Sequence, residues 1–505
     1  MDKNNRNRKV GKVLFDPQAS IYLVGIKGTG MTALAEILHS RGISITGSDV
    51  EEEFYTDSIL KGLGIPFFSG FTPENIKDFK DRSKIDLIIN SAAYDPKTHP
   101  ELLLAAELGI PIMEYTEALG ELSDGIPSGA VSGVHGKTTT TALAGSLVKA
   151  LGLQGTVLAG SGVAGFGNRS TLIQGNEFFL AETCEYRRHF LRFHPDHIIL
   201  TSIEPDHLDY FKGYDDIFSA FMEFIALLPK GGSLIYCADE EGASEAARKT
   251  EHMRPDVFLI PYGINCDGPF RIVNTKLLPG ENRFSLAGWE AEFSLRVPGK
   301  HTVLNAAAAL ALVSRLAGFS EGIPDRIQVE ALKQGIASFA GSRRRSEILG
   351  ESRGILFMDD YAHHPSAIIT TLKGLKEFYP DRRLVVDFMS HTYSRTAGLF
   401  KEFCRAFKDA DVLILHKIYG SAREKEGAAG SKVSGMSLFE GVREDWMRHG
   451  KRPGEKDICY FHEIEESREF LSALLQPGDL FLTMGAGNNW TMGRDLYNQN
   501  LGEKY

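Results

Sequence analysis

Gly133-Val134-His135-Gly136-Lys137-Thr138-Thr139-Thr140 is the stretch of this chain best equipped for chemistry. It follows a short apolar run, Gly129-Ala130-Val131-Ser132, and opens an alanine-rich segment of helical character. A glycine turn between strand and helix aims backbone N–H groups and the positive end of a helix dipole at one anion. Lys137 adds a mobile positive charge for terminal phosphates, and the Thr138 hydroxyl suits a magnesium ion. The full phosphate-loop pattern asks for a glycine where Val131 stands, so the motif is the shorter G-x-x-G-K-T. A plain strand-to-helix turn would explain the glycines, but a threonine run is poor helix filler and asks for another reason. The stretch reads as an ATP site, with Gly133, His135, Gly136, Lys137, Thr138 and Thr139 around the phosphates.

A second glycine turn, Gly25-Ile26-Lys27-Gly28-Thr29-Gly30-Met31, lies between a strand-like run and a helix-like one, and a further strand-like run ends at Ser48-Asp49. This is a βαβ unit with an acid closing its second strand. Its spacing is G-x-x-G-x-G, not the usual dinucleotide G-x-G-x-x-G, which counts against nicotinamide but leaves a pyrophosphate reading intact. Asp49 either binds a ribose hydroxyl or caps the next turn. Ser91 and Ala92 sit just past another strand-like run, where open parallel sheets take ligands.

Further polar groups close later runs. Glu182 ends one, and His207 follows the next, in Glu204-Pro205-Asp206-His207-Leu208-Asp209. Beside a phosphate loop such groups can converge on one nucleotide-bound metal, carboxylate oxygen being the more usual ligand for magnesium. Asn305, near the start of an alanine-leucine helix, is either a cap or a contact to a base edge. Ser342-Arg343-Arg344-Arg345-Ser346 is either a solvated face or a clamp on a transferring phosphate. Asp359-Asp360-Tyr361-Ala362-His363-His364 and His391-Thr392-Tyr393-Ser394-Arg395 follow two more strand-like runs and give the last third a polar rim.

The elements that must position these groups alternate strand and helix almost throughout, apart from residues 231–297, which read as mixed short strands and turns. The expected fold is α/β in three domains: a Rossmann-like one at 1–124 (with 1–18 a solvated lead-in), a central ATPase-type one at 125–341, and a second Rossmann-like one at 342–505. A hydrophobic content of 43% and a charged content of 24% are those of a soluble globular protein. A net charge of −10 speaks against a nucleic-acid partner, and no apolar run is long enough to span a membrane. The five scattered cysteines form no C-x-x-C pair, which points to the cytoplasm and away from disulfides or a thiolate zinc site.

The ordered set of motifs resembles the Mur ligases, the ATP-dependent enzymes that build the peptide stem of bacterial cell wall. The segments that carry the resemblance are Gly25–Met31 with Gly47-Ser48-Asp49, the Gly133–Thr140 loop, Glu204–Asp209, His301-x-x-x-Asn305, Asp359–Pro365, His391–Thr396 and Gly485-Ala486-Gly487-Asn488. The resemblance implies an amide ligation of L-alanine to the lactyl carboxylate of UDP-N-acetylmuramate through an acyl phosphate, with ATP and Mg2+, by a monomer or weak homodimer. It implies that Gly25, Gly28, Thr29, Gly30, Met31, Ser48, Asp49, Ser91 and Ala92 bind the UDP-sugar. It puts Thr138, Glu182 and His207 around magnesium, His301 and Asn305 at the adenine, and Asp360 at the ATP ribose. Lys137 and Arg344 would act on the phosphates, and Tyr361, His363, His391 and Arg395 would frame the amino acid, with His363 among the catalytic groups. A recycled tripeptide is the competing amine substrate. A nicotinamide dehydrogenase and a non-catalytic nucleotide-binding scaffold are the readings from other classes.

Overall fold

A computed structural model describes residues 11–502 except 83, 208–209, 320–321, 421–432 and 451–456. Residues 1–10 of the expected lead-in, and Asp209, lie outside the described residues. In the remainder of that lead-in Lys12–Phe15 forms a short 3-10 turn; Lys12 and residues 15–18 are exposed, while Leu14 is fully buried.

The first sheet holds β1 (Ser20–Val24), β2 (Ser44–Asp49), β3 (Phe67–Ser69), β4 (Leu87–Asn90) and β5 (Ile112–Glu114), all parallel, in the order β3-β2-β1-β4-β5. Every residue of β1 is buried, as expected for a parallel strand covered on both faces. The chain reverses direction across the sheet between β1 and β4, which opens a crevice at their C-terminal ends.

The second sheet holds β6 (Ser128–Ser132), β7 (Thr156–Val163), β8 (Arg169–Ile173), β9 (Phe179–Glu182), β10 (His197–Leu200), β11 (Ser233–Cys237) and β12 (Phe258–Tyr262). Their order is β12-β11-β10-β6-β9-β7-β8, parallel except for the β7–β8 hairpin. The switch point here is β6, and the Lys137–Leu151 helix leaves its C-terminal end. Residues 231–297 also contain a helix, Glu241–Met253, where only strands and turns were expected. Its Glu, Ala, Arg and Lys content favours helix, and the Glu240 side chain caps it by accepting the Ala243 N–H.

A small antiparallel sheet follows, of β13 (Ile272–Leu278), β14 (Glu281–Leu286) and β15 (Phe293–Leu295). The last sheet holds β16 (Glu347–Ser352), β17 (Ile355–Asp360), β18 (Arg383–Met389), β19 (Val412–Leu415), β20 (Ile458–Tyr460) and β21 (Asp479–Gly485). Its order is β16-β17-β21-β18-β19-β20, with β16 the antiparallel edge. Alternation along its strands feeds two apolar layers. Met358, Val386, Phe388, Leu413, Leu482 and Met484 face one, and Phe357, Val385, Ile414 and Phe481 the other. Each large side chain buried in this way contributes about 1.5–3 kcal/mol.

By packing, the chain divides into two compact units. One runs to Ile203 and adds Phe218–Tyr262 and Ala308–Leu332; the other holds Glu204–Ile217, Gly263–Ala307 and the chain from Lys333. The first two sheets share the first unit. The Thr29–Ser40 helix lies on β7 and β8, where Thr171 donates to buried Glu36 at 2.6 Å and Arg169 approaches it at 3.4 Å.

Candidate active site

The Gly133–Lys137 loop is pinned from below by the end of β10. The Val134 N–H donates to the Ser202 carbonyl at 3.1 Å, the His135 N–H to the Ser202 hydroxyl at 3.1 Å, and the Thr201 hydroxyl to the His135 carbonyl at 2.5 Å. Gly133 (φ 127°) and Gly136 (φ 80°) take backbone conformations that favour glycine. A Cβ at Gly133 would lie 2.1 Å from the Thr201 hydroxyl. Val131, where the longer motif has glycine, is instead a fully buried core residue of β6.

The Lys137 ammonium donates to the Gly133 carbonyl at 2.5 Å and to both Glu185 oxygens at 3.0 and 3.2 Å. Burial pulls Lys137 down, but the Glu185 carboxylate outweighs it and holds the ammonium above its ordinary range. Thr138 donates its hydroxyl to Glu182 at 3.0 Å, and Glu182 also accepts the Gly160 N–H at 2.7 Å. Hydroxyl and carboxylate are hard oxygen donors, so this pair fits magnesium. His207, the third expected ligand, belongs to the other unit, where it has φ 51° and donates its N–H to its neighbour Asp206. Thr201, Ser202 and Glu185 were missed from the sequence; only Glu185, in the acid pair Glu182/Glu185, left a signal there.

In the first sheet the glycine turn leads into the Thr29–Ser40 helix, whose N-terminus carries no side-chain cap. Gly28, Thr29 and Gly30 are at least partly accessible, and Met31 is buried beneath them. Thr29 shares a hydrogen bond with the Tyr55 hydroxyl at 3.1 Å, and Ser91 and Ala92 lie half-buried past β4. Ser48 and Asp49 face inward. Ser48 donates to buried Glu101 at 2.5 Å. Asp49 accepts the Lys27 N–H at 2.7 Å and the Val50 N–H at 2.8 Å. Both residues order the turn and stand behind it.

In the second unit, Asn305 is not a cap, because the Lys300–Leu316 helix starts well before it. Its Nδ2 is buried without a hydrogen-bond partner among the described residues, as a group kept for a ligand would be. His301 is half-buried one turn earlier. Asp360 is buried and accepts the Ser346 N–H at 2.6 Å and the Ala362 N–H at 2.7 Å, so it organises two loops. Arg344 (φ 57°) is tied inside its own domain: Nε donates to Asp359 at 2.9 Å and a terminal nitrogen to the Gly485 carbonyl at 2.6 Å. Here the guanidinium links β17 to β21.

The remaining rim residues do meet. The His363 ring packs against Tyr361 at 5.0 Å and His391 at 6.4 Å. Burial, reinforced by the Arg395 charge, pushes His363 well below its ordinary value, so it is neutral at pH 7. Arg395 donates to Asp206 at 2.9 Å. Burial alone would raise Asp206, but Arg395 holds it well below the usual carboxylate range. Thr392 has φ 64° with ψ 138°, a region that β-branched residues avoid, and its hydroxyl caps the short Tyr393–Gly398 helix by accepting the Arg395 N–H. That strained corner fixes where Arg395 starts.

Switch-point crevices, a lysine loop at a helix start and a rim of titratable groups define a nucleotide-using α/β enzyme. The chain belongs to the Mur ligase family. Its family models match in order: the catalytic domain at residues 20–126, the middle domain at 131–313 and the glutamate ligase domain at 344–487. Among relatives, it is 47% identical over 478 residues to the UDP-N-acetylmuramate–L-alanine ligase of Treponema pallidum, covering 95% of this chain and 96% of that one. Among solved structures, the UDP-N-acetylmuramate–alanine ligase of Thermotoga maritima matches with a TM-score of 0.76 at 24% identity, over 96% of this chain and all of that one. A murein peptide ligase from Psychrobacter arcticus matches with a TM-score of 0.66 at 21% identity, over 97% of this chain. These two likenesses establish the three-domain α/β fold.

Proposed function

We propose that this chain joins L-alanine to the lactyl carboxylate of UDP-N-acetylmuramate at the expense of ATP, a step in making peptidoglycan precursors. The observation that carries the reading is the near-full-length identity to the Treponema pallidum ligase. The lysine loop and the neutral rim histidine give that reading its parts.

A carboxylate resists an amine because its leaving group would be oxide. The lactyl carboxylate oxygen attacks the γ-phosphorus of ATP, ADP leaves, and an acyl phosphate forms. The alanine nitrogen then attacks the acyl carbon, the amine gives up a proton, and phosphate departs. The first step needs alignment and charge neutralisation. Gly133, Gly136 and Thr139 supply loop backbone, His135 closes it, and Lys137 turns to the terminal phosphates. Thr138 and Glu182 are the residues that would hold Mg2+, and the family resemblance adds His207 to them. Bound there, the ion would supply positive charge to the phosphate oxygens. His301 and Asn305 take the adenine. The Gly25–Met31 turn with Ser91 and Ala92 takes the sugar nucleotide, while Ser48 and Asp49 hold the turn in shape. Tyr361, His391 and Arg395 frame the amino acid, and His363 accepts the amine proton.

We assign the reaction to the cytoplasm, in line with the scattered cysteines; no described helix is long and apolar enough to cross a membrane. We assign a monomer or weak homodimer. Purified protein given ATP, Mg2+, UDP-N-acetylmuramate and L-alanine is expected to release phosphate. Release with the murein tripeptide but not with L-alanine would move the assignment to the recycling ligase.

A further inference from the structure

Lys27 stands inside the glycine turn given above to the sugar nucleotide, yet its charge is not offered to a ligand there. Its side chain is 1% exposed and its ammonium meets Asp57 at 3.3 Å. The same ammonium donates to the Val50 carbonyl at 2.9 Å and to the Glu52 carbonyl at 2.8 Å. The rings of Phe54 and Phe67 lie 5.8 and 5.4 Å from it, within reach of cation–π attraction. The main chain of Lys27 is engaged in the same direction. Its N–H donates to Asp49 at 2.7 Å, and its carbonyl accepts the Thr56 hydroxyl at 2.6 Å.

All of these partners but Phe67 fall between residues 49 and 57, from the end of β2 into the Tyr55–Gly62 helix. Val50–Phe54 has no helix or strand of its own, and Glu51, Glu52 and Glu53 are exposed on it. With the Val50 and Glu52 carbonyls given to the ammonium, those three carboxylates stay in water. The far end of the stretch then returns to the turn. The Tyr55 hydroxyl shares a hydrogen bond with Thr29 at 3.1 Å, and Thr29 opens a helix with no side-chain cap. Asp57 ties the return together, because it also accepts the Phe54 N–H at 3.3 Å.

We propose that Lys27 is a positioning residue for the sugar nucleotide: it fastens the Val50–Asp57 loop across the glycine turn and so sets the Tyr55 hydroxyl at Thr29, where the phenol donates to the pyrophosphate of the substrate. This rests on reading that turn as the sugar-nucleotide site and adds two residues to it. A phenol at this point is a neutral donor beside the N–H groups and dipole of the helix start, and a hydrogen bond to a charged oxygen is about twice as strong as one to a neutral oxygen. Against apolar residues of like volume a buried ion pair adds little net stability, so what Lys27 supplies is location. Without its ammonium the loop loses its anchor in the turn, and three glutamates are released beside an anionic ligand.

The test is equilibrium binding of UDP-N-acetylmuramate, with steady-state kinetics, for the full-length protein, Tyr55→Phe and Lys27→Met. Tyr55→Phe keeps the ring and removes one donor to a charged oxygen. It should raise Kd and KM for the sugar nucleotide about tenfold, with KM for ATP and the melting temperature unchanged. Lys27→Met is close in length but uncharged, and should raise both constants at least as far while KM for ATP stays within about twofold. Should Lys27→Met not fold, Tyr55→Phe carries the test. Sugar-nucleotide binding unchanged in Tyr55→Phe overturns the proposal. So does a lower melting temperature in Lys27→Met with that binding unchanged, which would make Lys27 a structural residue only. So does a joint rise of both KM values, the mark of general loosening. If the parent protein does not bind UDP-N-acetylmuramate, it is the reading of the turn that fails.

Discussion

Arg344 offers a test that separates two roles a basic cluster can have. Its guanidinium is 18% exposed, its partner Asp359 is 3% exposed, and they meet at 2.9 Å while a second nitrogen holds the Gly485 carbonyl. Replacing Arg344 by Gln leaves Asp359 buried without its cation, and breaking a buried pair from one side costs about 3–5 kcal/mol. Burial already pushes Asp359 up and Arg344 pulls it partly back, so the variant escapes some of that cost by protonating the acid. The lower end, about 3 kcal/mol, is the better estimate. For a domain of this size each kcal/mol moves the melting point by about 2–4 °C, giving a fall of about 6–12 °C. All three tryptophans, Trp289, Trp446 and Trp490, belong to the second unit, so their fluorescence reports its melting alone. Phosphate release well below the transition should stay within about threefold of the parent, a change of under 1 kcal/mol in the barrier. An unchanged melting point with a hundredfold drop in turnover would refute the tether and restore Arg344 to the phosphate.

Three further outcomes follow from the same geometry. Lys137→Ala should cut phosphate release by about 100-fold or more, the usual cost of losing a charge that meets the transition state, with the far-ultraviolet dichroism unchanged. Glu182→Gln should raise the magnesium concentration for half-maximal activity by at least about tenfold, since even changes behind a metal ligand cost about 10–100-fold in affinity; a magnesium titration of phosphate release reads it. His416 is buried and donates to the Asp387 carboxylate at 2.9 Å; burial opposes its protonation, but the Asp387 charge overrides this and raises it. A raised histidine stabilises the fold fully below its unfolded value, and the contribution is lost as pH rises through the folded one. Melting temperature, followed by tryptophan fluorescence, should therefore fall as pH climbs above about 6.5, and His416→Asn should flatten that slope.

Local patterns were legible and distant pairings were not. The Gly133–Lys137 loop and the Gly25–Gly30 turn were readable because strand, turn and helix signals sit side by side. Lys137 and Glu185 are 48 residues apart, and nothing in either segment announces the other. Arg344 shows the converse difficulty. Three successive arginines look alike in a sequence, and only the 141-residue reach to Gly485 separates a structural guanidinium from its neighbours. Asp49 and Asp360 were readable as acids at strand ends, but the loop N–H groups that each accepts required the fold. Asn305 was readable as a polar residue in an apolar helix. That its amide nitrogen is buried without a partner required the fold.

The Glu36 contact fixes more than a helix. Because the Thr29–Ser40 helix is bolted through Thr171 and Arg169 onto the hairpin beside Glu182, the two helix ends that would grip the sugar nucleotide and the triphosphate belong to one rigid ruler. The spacing between the two binding sites is then set when the chain folds and does not have to be assembled at each turnover. A substitution at Glu36, remote from every reacting atom, would be felt as two well-bound substrates that miss each other.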